Sequence, residues 1–236
     1  MKIEYLLFNV IVLFFSTLGC LLYKNRSWPK FSAASISISL ISGLFIIWDQ
    51  FVTGWWWKFN DGYTVGIKFG KLPIEEILFF LIIPWSCLVI WENLEKKMRN
   101  SSIKNIEAVV ILGGSITGIA GLFNGWWYTA AVGGGVAGTG LLSYLCDHWF
   151  RKKAAWMFLG SVCVLTVIFN GYLTARPVVV YDPSVISELY IGTIPIEDIL
   201  YGLILMSAVV MTYEYLKKGL YLSLLEKIEA FRLQFE

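Results

Sequence analysis

The sequence predicts an all-α integral membrane protein. Seven transmembrane helices are expected as a parallel 3+1+3 repeat, with a short β-hairpin in each of two long outer loops. Three observations predict this. The 236-residue chain is 57% apolar and 17% aromatic, where ordinary soluble domains are about 45–50% apolar, and its mean hydropathy is +0.67. Seven windows are nearly free of charge and close to the ~20 apolar residues that cross a bilayer. One unusual motif occurs twice, as "KLPIEEILFF" from Lys71 and "TIPIEDILYG" from Thr193.

The predicted spans are 3–23, 31–52, 73–94, 106–123, 126–147, 154–173 and 195–216. The first has a long apolar run and no A-x-A site after it, so it reads as a span and not as a cleaved leader. Pro84 is expected to kink the third. The fourth is the weakest, being short and Gly-rich. In the fifth, Gly133, Gly134, Gly135 and Gly138 suit close helix packing. The tail, 217–236, places Tyr221, Leu224, Leu225, Ile228 and Phe231 on one helical face, and reads as an amphipathic helix on the cytoplasmic surface.

A shift of 122 residues superposes the two motifs, with eight identities in the thirteen positions from Gly70 to Ile82. Glu76 meets Asp198, Phe79 meets Tyr201, and Phe80 meets Gly202; a shift of 121 brings Asp49 onto Asn170. The domain reading is therefore a first three-helix repeat (1–105), a linking helix (106–123), a second repeat (124–216) and the tail (217–236). A single linking span makes the second repeat enter the membrane in the same direction as the first. The loop before each motif carries a turn, Asn60-Asp61-Gly62 or Asp182-Pro183-Ser184, among aromatic and β-branched residues. Such a pattern signals a hairpin folded over the outer mouth. Trp55, Trp56 and Trp57 also suit an interfacial aromatic belt.

With the N-terminus outside, fourteen Lys and Arg fall in inside segments and five in outside segments. The positive-inside rule then places the N-terminus outside and the C-terminus in the cytoplasm, in a multi-pass protein of the cell inner membrane. No basic face suggests nucleic-acid binding. The four cysteines lack metal spacing, and the single histidine, His148, rules out a histidine-based triad or a multi-histidine metal site within this chain.

The acids carry the chemistry. Pro then Glu at a helix start is ordinary capping, but it occurs twice here. Asp49 and Asn170 also lie near the outer ends of their spans, and ionisable groups at membrane depth are costly and usually functional. Glu75 has Phe79 one turn deeper, Glu76 has Phe80, and Glu197 has Tyr201. A carboxylic acid above an aromatic cavity can donate a proton, and ring faces can stabilise a cation. Glu92 and Glu214, seventeen residues further on, are expected to pair with Lys96 and Lys218 at i,i+4.

Two copies of P-x-E-[ED], each opening a span in a three-span unit with matched loops, resemble the membrane-integral lycopene cyclases in their fused form. The resemblance covers nearly the whole chain. It implies acid-catalysed cyclisation of the acyclic ends of lycopene to β-rings, an isomerisation without net redox change. Lycopene would be taken from the bilayer, with membrane lipid as the other partner. It implies Glu75, Glu76, Glu197 and Asp198 in proton transfer, supported by Asp49, Asn170, Phe79, Phe80 and Tyr201. No G-x-G-x-x-G follows a strand, so no nucleotide cofactor is expected, and the cysteine spacing gives no reason to expect a metal. Two other readings stay open: a SWEET-like transporter, which would need a polar path at mid-depth, and a carotenoid hydratase sharing the protonation step. A retinal receptor would need a lysine in the last span, and residues 194–216 contain none.

Overall fold

The computed structural model describes residues 2–22, 27–96 and 105–233, without the side chains of Cys20 and of 220–233. Among the described residues are seven α-helices: α1 (Glu4–Leu22), α2 (Phe31–Val52), α3 (Ile74–Glu95), α4 (Ile106–Asn124), α5 (Trp127–Leu145), α6 (Lys153–Ala175) and α7 (Ile196–Leu233). Five of them, α2, α3, α4, α6 and α7, are long and apolar enough to cross a membrane. The fourth segment, expected to be weakest, is one of the five. The Gly-rich α5 and the apolar stretch Glu4–Gly19 of α1 fall short. Helix α7 runs unbroken through the predicted boundary at 216–217. The amphipathic face expected beyond it lies outside the described side chains.

The packing repeats. Helix α1 lies on α3 as α5 lies on α7, and α2 lies on α3 as α6 lies on α7. The halves meet where α2 packs on α7 and α3 on α6. Trp91, Trp149, Phe158 and Tyr213 are buried in the core of this contact, towards the end away from the two motifs. Lipid tails are as apolar as these side chains, so close packing, more than escape from water, holds such helices together. The α4–α5 pair shows it best: a Cβ on Gly133 would strike the backbone of Gly118, and one on Gly118 would lie 3.3 Å from the Gly134 nitrogen. The glycines expected to permit close packing divide by direction. Gly133 faces α4, Gly135 faces Ile204 of α7, and Gly134 and Gly138 meet nothing within 4 Å.

Pro84 sits inside α3. Proline has no N–H to give to the carbonyl four residues earlier, and the Ser42 hydroxyl of α2 donates to that Phe80 carbonyl instead, at 2.6 Å. At the other end of the same helices, the expected i,i+4 ion pairs give way to contacts made mainly between helices, with one i,i+3 pair, Lys217 and Glu214, inside α7. Lys217 reaches Glu92 at 2.7 Å, Glu214 at 3.1 Å and Glu95 at 3.3 Å, while Lys218 pairs with Asp147 at 2.9 Å. One ammonium shared by three carboxylates at a helix crossing takes the place of two isolated surface pairs, which would be worth only ~0.3–0.5 kcal/mol each. His148 lies at the end of α5 as expected, and its Nδ1 is 3.2 Å from the buried Glu107 of α4.

The two long loops that precede the motifs cover one end of the bundle. Strand β1 (Trp57–Phe59) pairs antiparallel with β4 (Val179–Tyr181), joining the loops of the two halves. Each loop also forms a minimal hairpin directly before its motif: β2 (Lys68–Phe69) with β3 (Leu72–Pro73), and β5 (Tyr190–Ile191) with β6 (Ile194–Pro195). These hairpins turn at Gly70 and Gly192, both left-handed at φ +62° and +64°, which glycine adopts without strain. The predicted turns at 60–62 and 182–184 do not join paired strands; the segments beside them pair with each other across the mouth.

Candidate active site

The two motifs start their helices in the same way. Pro73 is the extended N-cap of α3 (φ −65°, ψ 150°), one position before the first helical residue where it was expected. Pro195 occupies the equivalent place before α7. The two acids that follow then point in different directions.

The first acid of each motif ties down its own loop. Glu75 Oε1 accepts the Val65 backbone N–H at 2.6 Å. Glu197 Oε1 accepts the Ser187 N–H at 2.8 Å, also ten residues back, and the Thr129 hydroxyl at 2.6 Å. Both side chains are fully or almost fully buried. Neither lines the cavity described next.

The second acid of each motif faces a cavity of about 80 Å³ under the loops. Glu76 from α3, Asp198 from α7 and Asp49 from α2 all line it, each at most 8% exposed. Tyr5 donates its hydroxyl to Glu76 Oε2. Tyr128 donates to Asp198 Oδ1 at 3.4 Å, and the Asn170 amide to Asp198 Oδ2 at 2.8 Å. Tyr201 of the second half crosses to Asp49 of the first, at 2.5 Å. The roof is the β1–β4 ribbon. Alternation puts Trp57, Phe59, Val179 and Tyr181 on the cavity side and leaves Lys58 and Val180 outside, as the period of a strand requires. Burial, with the charge of Asp198 beside it, pushes the Tyr181 phenol well above its ordinary value.

Of the residues singled out from sequence, Asp49, Glu76, Phe79, Phe80, Asn170, Asp198 and Tyr201 are thus brought together. Glu75 and Glu197 are adjacent in the chain but turned away. Aromatic residues under the acids were expected, and Phe79, Phe80 and Tyr201 do line the wall; Gly202, which stands in the second repeat where the first has Phe80, also lines the cavity, and a Cβ there would lie 3.7 Å from Thr166 Oγ1. Trp57, assigned to an interfacial belt, is buried in the roof, while Trp55 is exposed. Sequence reasoning missed Tyr5, Tyr128 and Tyr181. A signal for the first two existed: a shift of 123 superposes Tyr5 on Tyr128, and the structure gives both the same role.

The family described as lycopene cyclase matches residues 3–94 and 125–216, more than three quarters of the chain. The chain belongs to the lycopene cyclase family. The two matched segments coincide with the two halves whose packing repeats, and the unmatched stretch between them holds α4. Comparison with curated proteins and with solved structures finds no match. Membership implies a carotenoid substrate, and the apolar helices make the chain a multi-pass membrane protein.

Proposed function

We propose that this lycopene cyclase family member is a β-cyclase working by acid–base chemistry alone. The observation that carries the reading is the convergence of three buried carboxyls, Asp49, Glu76 and Asp198, on one aromatic-walled cavity. In the proposed reaction a carboxyl in its acid form donates a proton to the terminal double bond of the acyclic end, forming a tertiary cation. The π electrons of an internal double bond attack that cation and close the six-membered ring. A carboxylate then removes a proton from the ring carbon beside the new cation, leaving the β-ring double bond. One proton enters and one leaves, so the product has the mass of the substrate and no redox partner is consumed. The faces of Trp57, Phe80 and Tyr201 stabilise the passing cation, and exclusion of water strengthens each electrostatic contact.

Glu76 and Asp198 are assigned proton transfer, with Asp49 as the third acid of the set. Glu75 and Glu197 act as positioning residues that hold the roof loops. Phe79 and Asn170 shape and orient the wall. In the membrane, the seven helices are assigned as seven spans in a parallel 3+1+3 arrangement. The cavity then sits at the outer face of the inner membrane, and the C-terminus is cytoplasmic, as the Lys and Arg distribution supports.

The test is pigment analysis. The chain is expressed in a lycopene-accumulating bacterium, and extracts are separated by chromatography with mass detection. A cyclised product of unchanged mass is expected. A product heavier by one water would replace the cyclase reading with a hydratase, and unchanged lycopene alongside well-expressed protein would refute both.

A further inference from the structure

The acid cavity, at about 80 Å³, is far smaller than the ~300–1,000 Å³ typical of sites for organic ligands. A long polyene therefore needs both more room and a way in from the bilayer. A groove of about 440 Å³ lies between α2, α5 and α7. Leu44 and Trp48 come from α2, Ala131 and Gly135 from α5, and Ile204 from α7. Tyr128 and Tyr201 line both the groove and the acid cavity, so their rings form the partition between the two spaces. The partition is two-faced. Its hydroxyls are turned to the acids, Tyr201 to Asp49 and Tyr128 to Asp198, while the remaining groove walls are apolar.

We propose that this groove seats the polyene chain of the substrate and that the reacting end passes between Tyr128 and Tyr201 to the acids. The inference rests on the cyclase reading above. Tyr201 is the moving leaf. Tyr128 is 1% exposed and packed against Trp56, Trp57 and Tyr181. Tyr201 is only partly buried, has Gly202 beside it, and is held by its bond to Asp49 and by ring contacts, the nearest to Phe45 at 5.0 Å. The occupant is an uncharged hydrocarbon chain, because the groove offers no charged group to a headgroup. A bilayer acyl chain would fit the same walls but would bring no reacting end to the acids.

A second groove of about 440 Å³, between α1, α3 and α6, shares no lining residue with the acid cavity and serves as the control. The experiment places wild type, Leu44→Trp, Ala131→Phe and, in the control groove, Gly19→Phe in lycopene-containing vesicles and separates KM from kcat. Leu44 is 57% exposed and a Cβ on Gly19 meets nothing within 4 Å, so both sites have room for the new ring. Filling the α2–α5–α7 groove from either helix is expected to raise KM about tenfold with kcat nearly unchanged, the pattern of lost uniform binding, and Gly19→Phe is expected to behave as wild type. Wild-type KM in both groove variants, or an equal loss in the control, overturns the groove assignment while leaving the cyclase reading intact. A wild-type protein that leaves lycopene unchanged overturns the cyclase reading itself.

Discussion

The sharpest consequence of the proposed assignment is that the two neighbouring acids of one motif have different jobs. Consider Glu76→Gln beside Glu75→Gln. The amide at 76 keeps the shape of the side chain and still offers an acceptor oxygen to the Tyr5 hydroxyl, but it has no acidic proton to give. General acid–base catalysis contributes ~10²–10⁴-fold, so cyclisation should fall by that factor, about 3–5 kcal/mol of barrier. The amide at 75 also keeps an acceptor for the Val65 N–H, which now sits at 2.6 Å. That contact changes from a charge-assisted bond of ~1.5–3 kcal/mol to a neutral one of ~0.5–1.5 kcal/mol. The loss of about 1 kcal/mol loosens the roof loop and touches no reacting atom. Even if all of it reached the transition state, the rate would fall by less than about tenfold. The assay is the rate of lycopene loss in membranes holding equal amounts of each variant, with thermal inactivation measured in parallel. Glu75→Gln should be active and less heat-stable, and Glu76→Gln stable and nearly inert. An inert, normally folded Glu75→Gln beside an active Glu76→Gln would refute the division of roles. The same sorting is expected for Glu197→Gln against Asp198→Asn.

Other expectations follow from the cavity walls and the chain's course. Tyr201→Phe removes the hydrogen bond to Asp49, and a hydrogen bond of this kind is worth ~0.5–1.5 kcal/mol; a drop in kcat/KM of about two- to tenfold is expected, and wild-type kinetics would deny that bond a role. Gly202→Leu places a side chain where Gly202 lines the cavity, with its Cβ in ordinary contact at 3.7 Å from Thr166. Turnover should stop while the protein gains helix propensity worth up to ~1 kcal/mol, read from activity and thermal stability together. Because the acids gather in one cavity, the two ends of lycopene should react in turn, so a time course should show monocyclic product rising before bicyclic. For orientation, Asp61→Cys on the exposed loop should react with a membrane-impermeant thiol reagent in intact cells once the outer envelope is permeabilised; labelling only after lysis would invert the topology.

Much of the fold was legible because the bilayer narrows the options: long uncharged runs become helices, and every predicted span has a helix on it. The repeat was legible because Gly70 and Gly192, Pro73 and Pro195, and Glu75 and Glu197 recur in one register. Pairings between elements were not. Nothing local tells Trp57–Phe59 to pair with Val179–Tyr181 across the mouth, since each strand carries the same alternation it would need for a hairpin of its own. The ion pairs of Lys217 were missed for a related reason. A rule for neighbours along one helix cannot see Glu92 arriving from another helix.

By itself the sequence determined that the chain is a doubled, membrane-grade helical protein with acids at the openings of two homologous helices, and its motifs pointed to the right family. Only the tertiary structure decided which acids share a cavity. Successive residues at the start of a helix point about 100° apart, so Glu75 and Glu76 must face different surroundings, and the packing of α2, α3 and α7 determines which of those surroundings is the cavity. That packing turns Glu76, Asp198 and Asp49 toward one another and leaves Glu75 and Glu197 holding the roof.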